Sequence, residues 1–290
     1  MDFKINFKQE NTAKGKRYTM FNISDIKGTD DYLIFFKIIE KDYLQKLVKD
    51  GQVYFSMLST IREMEQKEGK SSIGDKNECL LTKKIQEYIV YEGEYYQIHG
   101  ENSGYNVKIN SNQCVFCSYA VGLKSFVSED NQNYYHKVPY STIRDICKDK
   151  NGIENCVILA FDINIINRIC NALRDNFSFS KGSIIYDDFE YIPRNDINSE
   201  KYALECCFHK ESKYEYQKEF RIAAINHTKH PIDNLYINVT ENDFTIMELK
   251  ENCDFCCYVK MDTERIEDYN GKEQQKVQFS FSFDFDVIKN

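Results

Sequence analysis

The segment VQFSFSFDFDV, residues 277 to 287, alternates apolar and polar side chains at every step. Because successive side chains of a strand point to opposite sides, this pattern predicts a strand with one buried and one solvated face. Such strands are typical of antiparallel sheets, which commonly pack one face on the core and expose the other. The segment therefore indicates a fold with a substantial antiparallel sheet.

Toward the N-terminus, a strand, a helix and a second strand follow one another closely. Residues 33 to 39 are an apolar run with one lysine, which is typical of a buried strand. Residues 41 to 50 have helical spacing and end before Gly51, and glycine is common just after a helix. Residues 52 to 56 predict the next strand.

The middle of the chain mixes both kinds of element. Residues 85 to 121 have the pattern of a strand meander, and residues 157 to 161 predict a strand after which Asp162 caps a helix. We expect an N-terminal extension over residues 1 to 30 and a single α+β domain over residues 31 to 290. Its sheet should be large and mostly antiparallel, continuous or split, with several flanking helices.

Composition restricts the function classes. The net charge of -8 does not favour nucleic acid or an anionic membrane as a ligand, although nucleic acid could still be a modification target. No apolar run approaches the roughly 20 residues that span a bilayer, and the N-terminus lacks the apolar core of a signal peptide. We therefore expect a cytoplasmic protein without membrane partners, whose 11 cysteines are reduced.

The cysteines leave a metal site open. Cys253, Cys256 and Cys257 could form part of a zinc knuckle, which needs four converging thiolates or imidazoles. The alternative is that the thiols are buried and act as small apolar side chains. We favour the second interpretation and expect no metal.

The segment KYEYQKEFRI, residues 213 to 222, separates at strand period into two chemically opposite faces. The apolar face contains Tyr214, Tyr216, Phe220 and Ile222, and the polar face contains Glu215, Gln217, Glu219 and Arg221. A strand with this polar row is either a solvated sheet surface or the floor of a site that handles charge.

A charged, glycine-bearing loop is a second candidate site. This loop could bind a cation, a ribose or a phosphate through its charged residues Arg62, Glu63, Glu65, Asp75 and Glu78. The alternative is a solvated connection whose surface ion pairs are each worth at most about 1 kcal/mol.

Several motifs occur in an order that resembles a bacterial domain family of unknown function, whose members are often encoded near phage-defence genes. The shared motifs are Tyr54 to Ser56, Arg62-x-x-Glu65, Gly74-Asp75-x-x-Glu78, Cys114 to Ser118, Tyr186, Lys210 and Gln217-x-Glu219-x-Arg221. The resemblance covers roughly residues 33 to 245. It implies a role in defence, with a phage component or the product of a neighbouring defence gene as partner.

The chain is also distantly similar to ADP-ribosyltransferases. That similarity implies that Glu219 stabilises the oxocarbenium-like centre as nicotinamide leaves NAD, and that Gln217 positions the acceptor. NAD would be the cofactor, with Lys37 in place of the usual Arg or His, Tyr54 or Ser56 lining the nicotinamide pocket, and Arg221 nearby. The expected function is then a defence effector or toxin with NAD-dependent ADP-ribosyltransferase or NAD glycohydrolase activity.

Two alternatives stay open. In a metal-dependent nuclease, Asp75, Glu78 and Glu219 would hold a divalent ion, and Lys218 or Arg221 would stabilise the phosphate. A non-catalytic phage sensor or interaction module would bind a phage component or the product of a neighbouring gene. Arg221 could also neutralise Glu219 as a structural pair, which would remove the catalytic role of Glu219. Convergence of Lys37, Tyr54 and Glu219 on one cleft is what the transferase hypothesis requires.

Overall fold

The computed structural model describes residues 19–21, 32–61, 63, 80–84, 87–91, 94–98, 104–108, 112–122, 125–128, 133–148, 150, 152–186, 200–210, 212–226, 230–267 and 273–288. Its α-helices include α1 (Lys41–Asp50), α2 (Tyr140–Lys148), α3 (Ile163–Leu173) and α4 (Glu200–Glu205), and residues 58–61 are helical as well. Short 3₁₀ helices cover Ile153–Asn155, Cys206–Phe208, Ser212–Gln217 and Glu241–Asp243.

The strands are β1 (Thr19–Phe21), β2 (Tyr32–Glu40), β3 (Gln52–Met57), β4 (Leu80–Lys84), β5 (Glu87–Tyr91), β6 (Glu94–Ile98), β7 (Gly104–Lys108), β8 (Gln113–Gly122), β9 (Val127–Ser128), β10 (Asn133–Val138), β11 (Cys156–Phe161), β12 (Ser178–Ser183), β13 (Ile185–Tyr186), β14 (His209–Lys210), β15 (Glu219–Ile225), β16 (Ile232–Tyr236), β17 (Thr245–Glu248), β18 (Cys253–Glu267) and β19 (Glu273–Val287). The largest sheet has eight strands, in the order β12-β15-β8-β2-β11-β17, with β3 paired to β8 and β16 paired to β3. The predicted α+β class with a large, mostly antiparallel sheet is confirmed.

The chain divides into two compact units. The first unit contains Met1–Gln52, Ser118–Ile169 and Tyr236–Asn290, and the second contains Val53–Cys117 and Cys170–Leu235. The single domain expected over residues 31 to 290 stays a prediction beside this division.

The first unit has a core that is rich in phenylalanine. In its largest ladder, β18 and β19 pair antiparallel along their whole length, from Cys253 opposite Val287 to Glu267 opposite Glu273. The buried ring of Phe36 on β2 meets Phe255 edge-on, with ring centroids 5.0 Å apart. Such aromatic contacts contribute about 0.5–1.5 kcal/mol beyond the burial of area, so this core is held by ring geometry as well as by apolar area.

The second unit contains β12 and β15, which pair antiparallel from Ser178 opposite Ile225 to Ser183 opposite Phe220. All seven residues of β15 are buried, so neither of its faces is exposed to water. The neighbouring apolar cluster includes Leu58, Cys207 and Ala223. The polar side chains of β15 therefore lie in the protein interior.

Several local predictions are confirmed. Helix α1 ends at Asp50, and Gly51 follows in the left-handed conformation with φ 69°. Asp162 precedes α3, and its Oδ1 accepts the backbone N–H of Asn164 at 2.9 Å. Beyond these confirmed predictions, the described part of the expected N-terminal extension is strand β1, which pairs with β19 from Thr19 opposite Phe281 to Phe21 opposite Phe279, and the extension over residues 1 to 30 stays a prediction.

The strand predicted over residues 213 to 222 is only partly correct. Ser212–Gln217 form a 3₁₀ helix, in which Tyr214 and Gln217, three positions apart, are the buried residues. The strand begins only at Glu219. The predicted polar row is broken accordingly, because Glu215 is exposed whereas Gln217, Glu219 and Arg221 are buried.

Candidate functional site

The candidate site lies where the 3₁₀ helix Ser212–Gln217 passes into β15. Lys218 links the two elements with a φ of 39°, which is unusual for a residue with a side chain. This left-handed step changes the direction of the backbone between Gln217 and Glu219. The side chains of Gln217 and Glu219 nevertheless both contact Lys210.

Glu219 and Arg221 form a two-pronged ion pair in the interior. Arg221 Nε donates to Glu219 Oε1 at 2.6 Å, and Arg221 Nη2 donates to Glu219 Oε2 at 3.2 Å. Arg221 Nη1 donates to the carbonyl oxygen of Cys207 at 2.7 Å. Because the guanidinium is planar, these bonds hold its orientation at both ends.

Lys210 is the second cation at the carboxylate. Its Nζ donates to Glu219 Oε2 at 2.8 Å and to Gln217 Oε1 at 2.7 Å. The Lys210 side chain is 3% exposed, and its ammonium lies 5.4 Å from the centre of the Tyr214 ring. A lysine so deeply buried needs such partners to remain charged.

We call this group the ion cluster; it consists of Tyr186, Lys210, Gln217, Glu219 and Arg221. The cluster also attaches the small parallel pair of strands β13 and β14 to β15. Tyr186 and Lys210 are register partners on β13 and β14. The Tyr186 hydroxyl accepts the backbone N–H of Glu219 at 2.8 Å, and the Glu219 carbonyl accepts the N–H of Ile184 at 2.9 Å. Glu219 is therefore bonded through its backbone as well as its carboxylate.

The electrostatics keep Glu219 ionised. Burial alone would raise the pKa of its carboxyl, but the charges of Arg221 and Lys210, with hydrogen bonds from Arg221 and the Cys117 thiol, hold that pKa well below its usual range. Burial, and then the negative charge of Glu219, raise the pKa of Tyr186, so this phenol stays neutral. The arrangement is a carboxylate fixed between two cations.

These contacts limit what Glu219 can do chemically. A carboxylate offers about four lone-pair sites. Three N–H donors from Arg221 and Lys210 and the thiol of Cys117 already point at them. A ribose hydroxyl would therefore have to displace one of these donors.

The other predicted residues lie elsewhere or outside the described residues. Tyr54 on β3 is 44% exposed, and Ser56 on the same strand is half-buried opposite Val115. Lys37 lies on β2 of the first unit, opposite Leu159. Arg62, Asp75 and Glu78 fall outside the described residues. The cluster thus unites three predicted residues, Gln217, Glu219 and Arg221.

Two members of the cluster had no predicted role. Lys210 and Tyr186 entered only as positions of the family motif, yet both bond to Glu219. Their signal was the motif itself, in which a lysine precedes Gln-x-Glu-x-Arg. Periodicity could not reveal it, because ion pairing to Glu219 depends on the chain turning back over Ser212–Gln217.

The cysteines among the described residues are free thiols. Cys253, Cys256 and Cys257 are buried and unbridged. Among the described residues, no three His, Cys, Asp or Glu side chains are arranged to hold a metal ion. The expectation that these thiols bind no metal stays a prediction.

Comparison with known proteins does not assign the chain to a family. No family model, no curated protein and no solved structure matches the chain. Within the described ranges, none of the helices has the length and apolar character needed to cross a membrane.

Proposed function

We propose that the chain is a non-catalytic interaction module of a bacterial defence system, in which Lys210, Glu219 and Arg221 maintain the fold and perform no chemistry. The defence setting rests on the motifs shared with the phage-defence-associated family. The partner would be a phage component or the product of a neighbouring defence gene, as that resemblance implies.

The non-catalytic part rests on one observation, the engagement of the Glu219 carboxylate by Arg221 and Lys210. A catalytic carboxylate must turn toward a sugar whose positive charge develops in the transition state. Here the Glu219 carboxylate is already paired with the buried cations Arg221 and Lys210. Breaking a buried ion pair costs about 3–5 kcal/mol, and a substrate would have to offset this cost before any rate enhancement.

A second candidate function, an NAD-dependent ADP-ribosyltransferase or NAD glycohydrolase, is favoured by the backbone at Lys218. A non-glycine residue with positive φ is strained, and strained residues cluster at ligand-binding and catalytic sites. Lys218 lies between Gln217 and Glu219, the pair that the similarity to ADP-ribosyltransferases makes catalytic. In this proposal NAD binds at the cluster, with Tyr54 and Ser56 toward its nicotinamide.

Incubation with NAD separates the two proposals in vitro. The interaction module should release no nicotinamide above the buffer blank and transfer no label to protein, RNA or DNA. The transferase proposal would replace the module if the wild type releases nicotinamide and Glu219→Gln does not. Circular dichroism must show that this variant is still folded. Tyr54→Ala is a second variant for the NAD assay, because truncation of this exposed side chain should have little effect on the core.

A phage-protection assay tests the same point in cells. Glu219→Gln is compared with Asp243→Asn, which weakens an ion pair to Arg168 elsewhere in the chain. If the cluster is only structural, protection against phage depends on the folded fraction alone. When growth temperature changes the folded fraction, both variants should then fall on the same curve of protection against folded fraction. Loss of protection by Glu219→Gln at a folded fraction where Asp243→Asn still protects would contradict the proposal.

A further inference from the structure

Two buried thiols of the first unit contact each other. Cys147 lies in the last turn of α2, Cys156 is the first residue of β11, and the two side chains share a hydrogen bond. Both residues are 0% exposed and belong to one apolar cluster. Their sulfurs are not bridged in this structure.

The turn between them holds the pair in place. The backbone N–H groups of Lys150 and Gly152 donate to the Cys147 carbonyl oxygen at 2.8 and 3.1 Å. The Cys156 thiol donates to the carbonyl oxygen of Lys150 at 3.7 Å. Gly152 makes this return possible, because its φ of 100° is a conformation that residues with side chains rarely adopt.

The two thiols differ in acidity. The hydrogen bond to Cys156, followed by burial, raises the pKa of Cys147. The same hydrogen bond, with the Cys147 thiol as donor, lowers the pKa of Cys156 against the effect of burial. Cys156 is therefore the better nucleophile, since the thiolate is the reactive form.

We propose that Cys147 and Cys156 are a peroxide-sensitive dithiol, which closes to a disulfide between the end of α2 and the start of β11. In the first step Cys156 Sγ attacks one oxygen of hydrogen peroxide, the O–O bond breaks, and a sulfenic acid and water form. In the second step Cys147 Sγ attacks Cys156 Sγ, the S–O bond breaks, and the hydroxyl leaves with the Cys147 proton as water. The sulfur pair loses two electrons and peroxide is reduced to water.

Hydrogen peroxide suits this site because it is small and uncharged. Both sulfurs are covered, but Glu154 and Asn155 in the connecting turn are exposed. Local opening of such a turn costs less than global unfolding. A bulky disulfide reagent would need a wider opening, so peroxide should oxidise this pair faster than oxidised glutathione does.

Peptide mapping of the full chain tests the proposal. The folded protein is treated with hydrogen peroxide, the remaining thiols are alkylated after unfolding, and the digest is analysed without reduction. The expected product is a peptide pair joined through Cys147 and Cys156, lighter than the two separate peptides by two hydrogen atoms and separable with dithiothreitol. It should form in Cys257→Ala, which removes a neighbouring core thiol, and not in Cys147→Ser or Cys156→Ser.

The wild-type map decides the matter even if these variants fold poorly. The proposal would be overturned if peroxide oxidises only Cys117 while Cys147 and Cys156 stay fully alkylatable. Cys117 is the partly exposed thiol among the described cysteines. A supporting second readout is thermal unfolding. The oxidised chain should unfold at a higher temperature than the reduced chain, because the bridge restricts the unfolded state.

Discussion

Arg221 and Glu219, two positions apart on β15, form an ion pair in which Nε and Oε1 are 2.6 Å apart and the side chains are 1% and 10% exposed. Side chains two positions apart share one face of a strand, so the pairing follows from the sequence spacing. Its burial does not, because it requires Lys210 and the small β13–β14 pair to cover that face. The polar face is therefore part of the interior.

Replacing Glu219 with Gln should lower the free energy of unfolding by about 3–5 kcal/mol, because Arg221 and Lys210 would lose the buried carboxylate that both of them contact. Urea unfolding followed by circular dichroism measures this loss. Glu215→Gln is the matched control, since Glu215 is exposed in the same segment and should change stability by less than about 0.5 kcal/mol. Equal effects of the two substitutions would contradict a buried ion cluster.

Acid should reduce the advantage of the wild type over Glu219→Gln. The pKa of Glu219 is lowered in the folded state, so its stabilisation is fully present above the unfolded pKa of about 4.3 and is lost as pH falls toward the folded pKa. The stability difference between the two proteins should therefore be constant near neutrality and shrink below about pH 4. A difference that does not change with pH would contradict the ionised carboxylate.

Alkali should act through Tyr186. Its pKa is raised, first by burial and then by the charge of Glu219, so the stability it contributes is present below the unfolded pKa of about 10 and is lost as pH rises further. Tyr186→Phe should cost roughly 1 kcal/mol at neutral pH, because the Glu219 N–H loses its acceptor. The same variant should lose less stability than the wild type between roughly pH 9 and 11, as urea midpoints would show.

Lys218→Gly tests the left-handed step between Gln217 and Glu219. Positive φ costs a residue with a side chain about 1–2 kcal/mol, whereas glycine pays about 0.5–1 kcal/mol in chain entropy. Lys218→Gly should therefore leave stability unchanged or raise it by up to about 1.5 kcal/mol, and Lys218→Val should lower it. Lys213→Gly, in the preceding 3₁₀ helix, is the control and should be destabilising; a similar loss in Lys218→Gly would rule out strain there.

The elements that could be predicted from sequence are those with a strong local signal. The alternation over residues 277 to 287 lies within β19, where Phe281 and Phe283 are buried and Ser282 is only partly so. The pattern weakens at the end of the strand, since Val287 is 72% exposed. Periodicity describes a strand best where the sheet is covered on one side along its length.

The strand prediction is wrong over residues 213 to 217 for a physical reason. Tyr214 and Tyr216 fit a period of two, but the structure buries Tyr214 and Gln217, which fit the period of three of a 3₁₀ helix. Over five residues these two periods cannot be told apart. The conformation of Lys218, which decides where the strand begins, leaves no mark on hydrophobic patterning.

The site was half predictable. Gln217, Glu219 and Arg221 share one motif, so their proximity follows from the sequence. The contact of Lys210 with both Gln217 and Glu219 depends on tertiary structure, because the intervening chain must turn back on itself. The burial that converts a charged surface into an ion cluster is likewise set by packing of β13 and β14.

Gly51 offers a final prediction in which local and tertiary constraints coincide. Its N–H closes α1 on the Leu47 carbonyl oxygen at 3.1 Å, and its own carbonyl oxygen accepts the N–H of Ile237 at 2.9 Å. A Cβ at this position would overlap the carbonyl oxygen of Ile237 in addition to the cost of its φ of 69°. Gly51→Ala should therefore lower the free energy of unfolding by at least about 2 kcal/mol. Gly182→Ala is the control, because its Cβ would make an ordinary contact with Phe208 at 3.9 Å. In urea unfolding, similar midpoints for the two variants would show that α1 can end without the left-handed glycine.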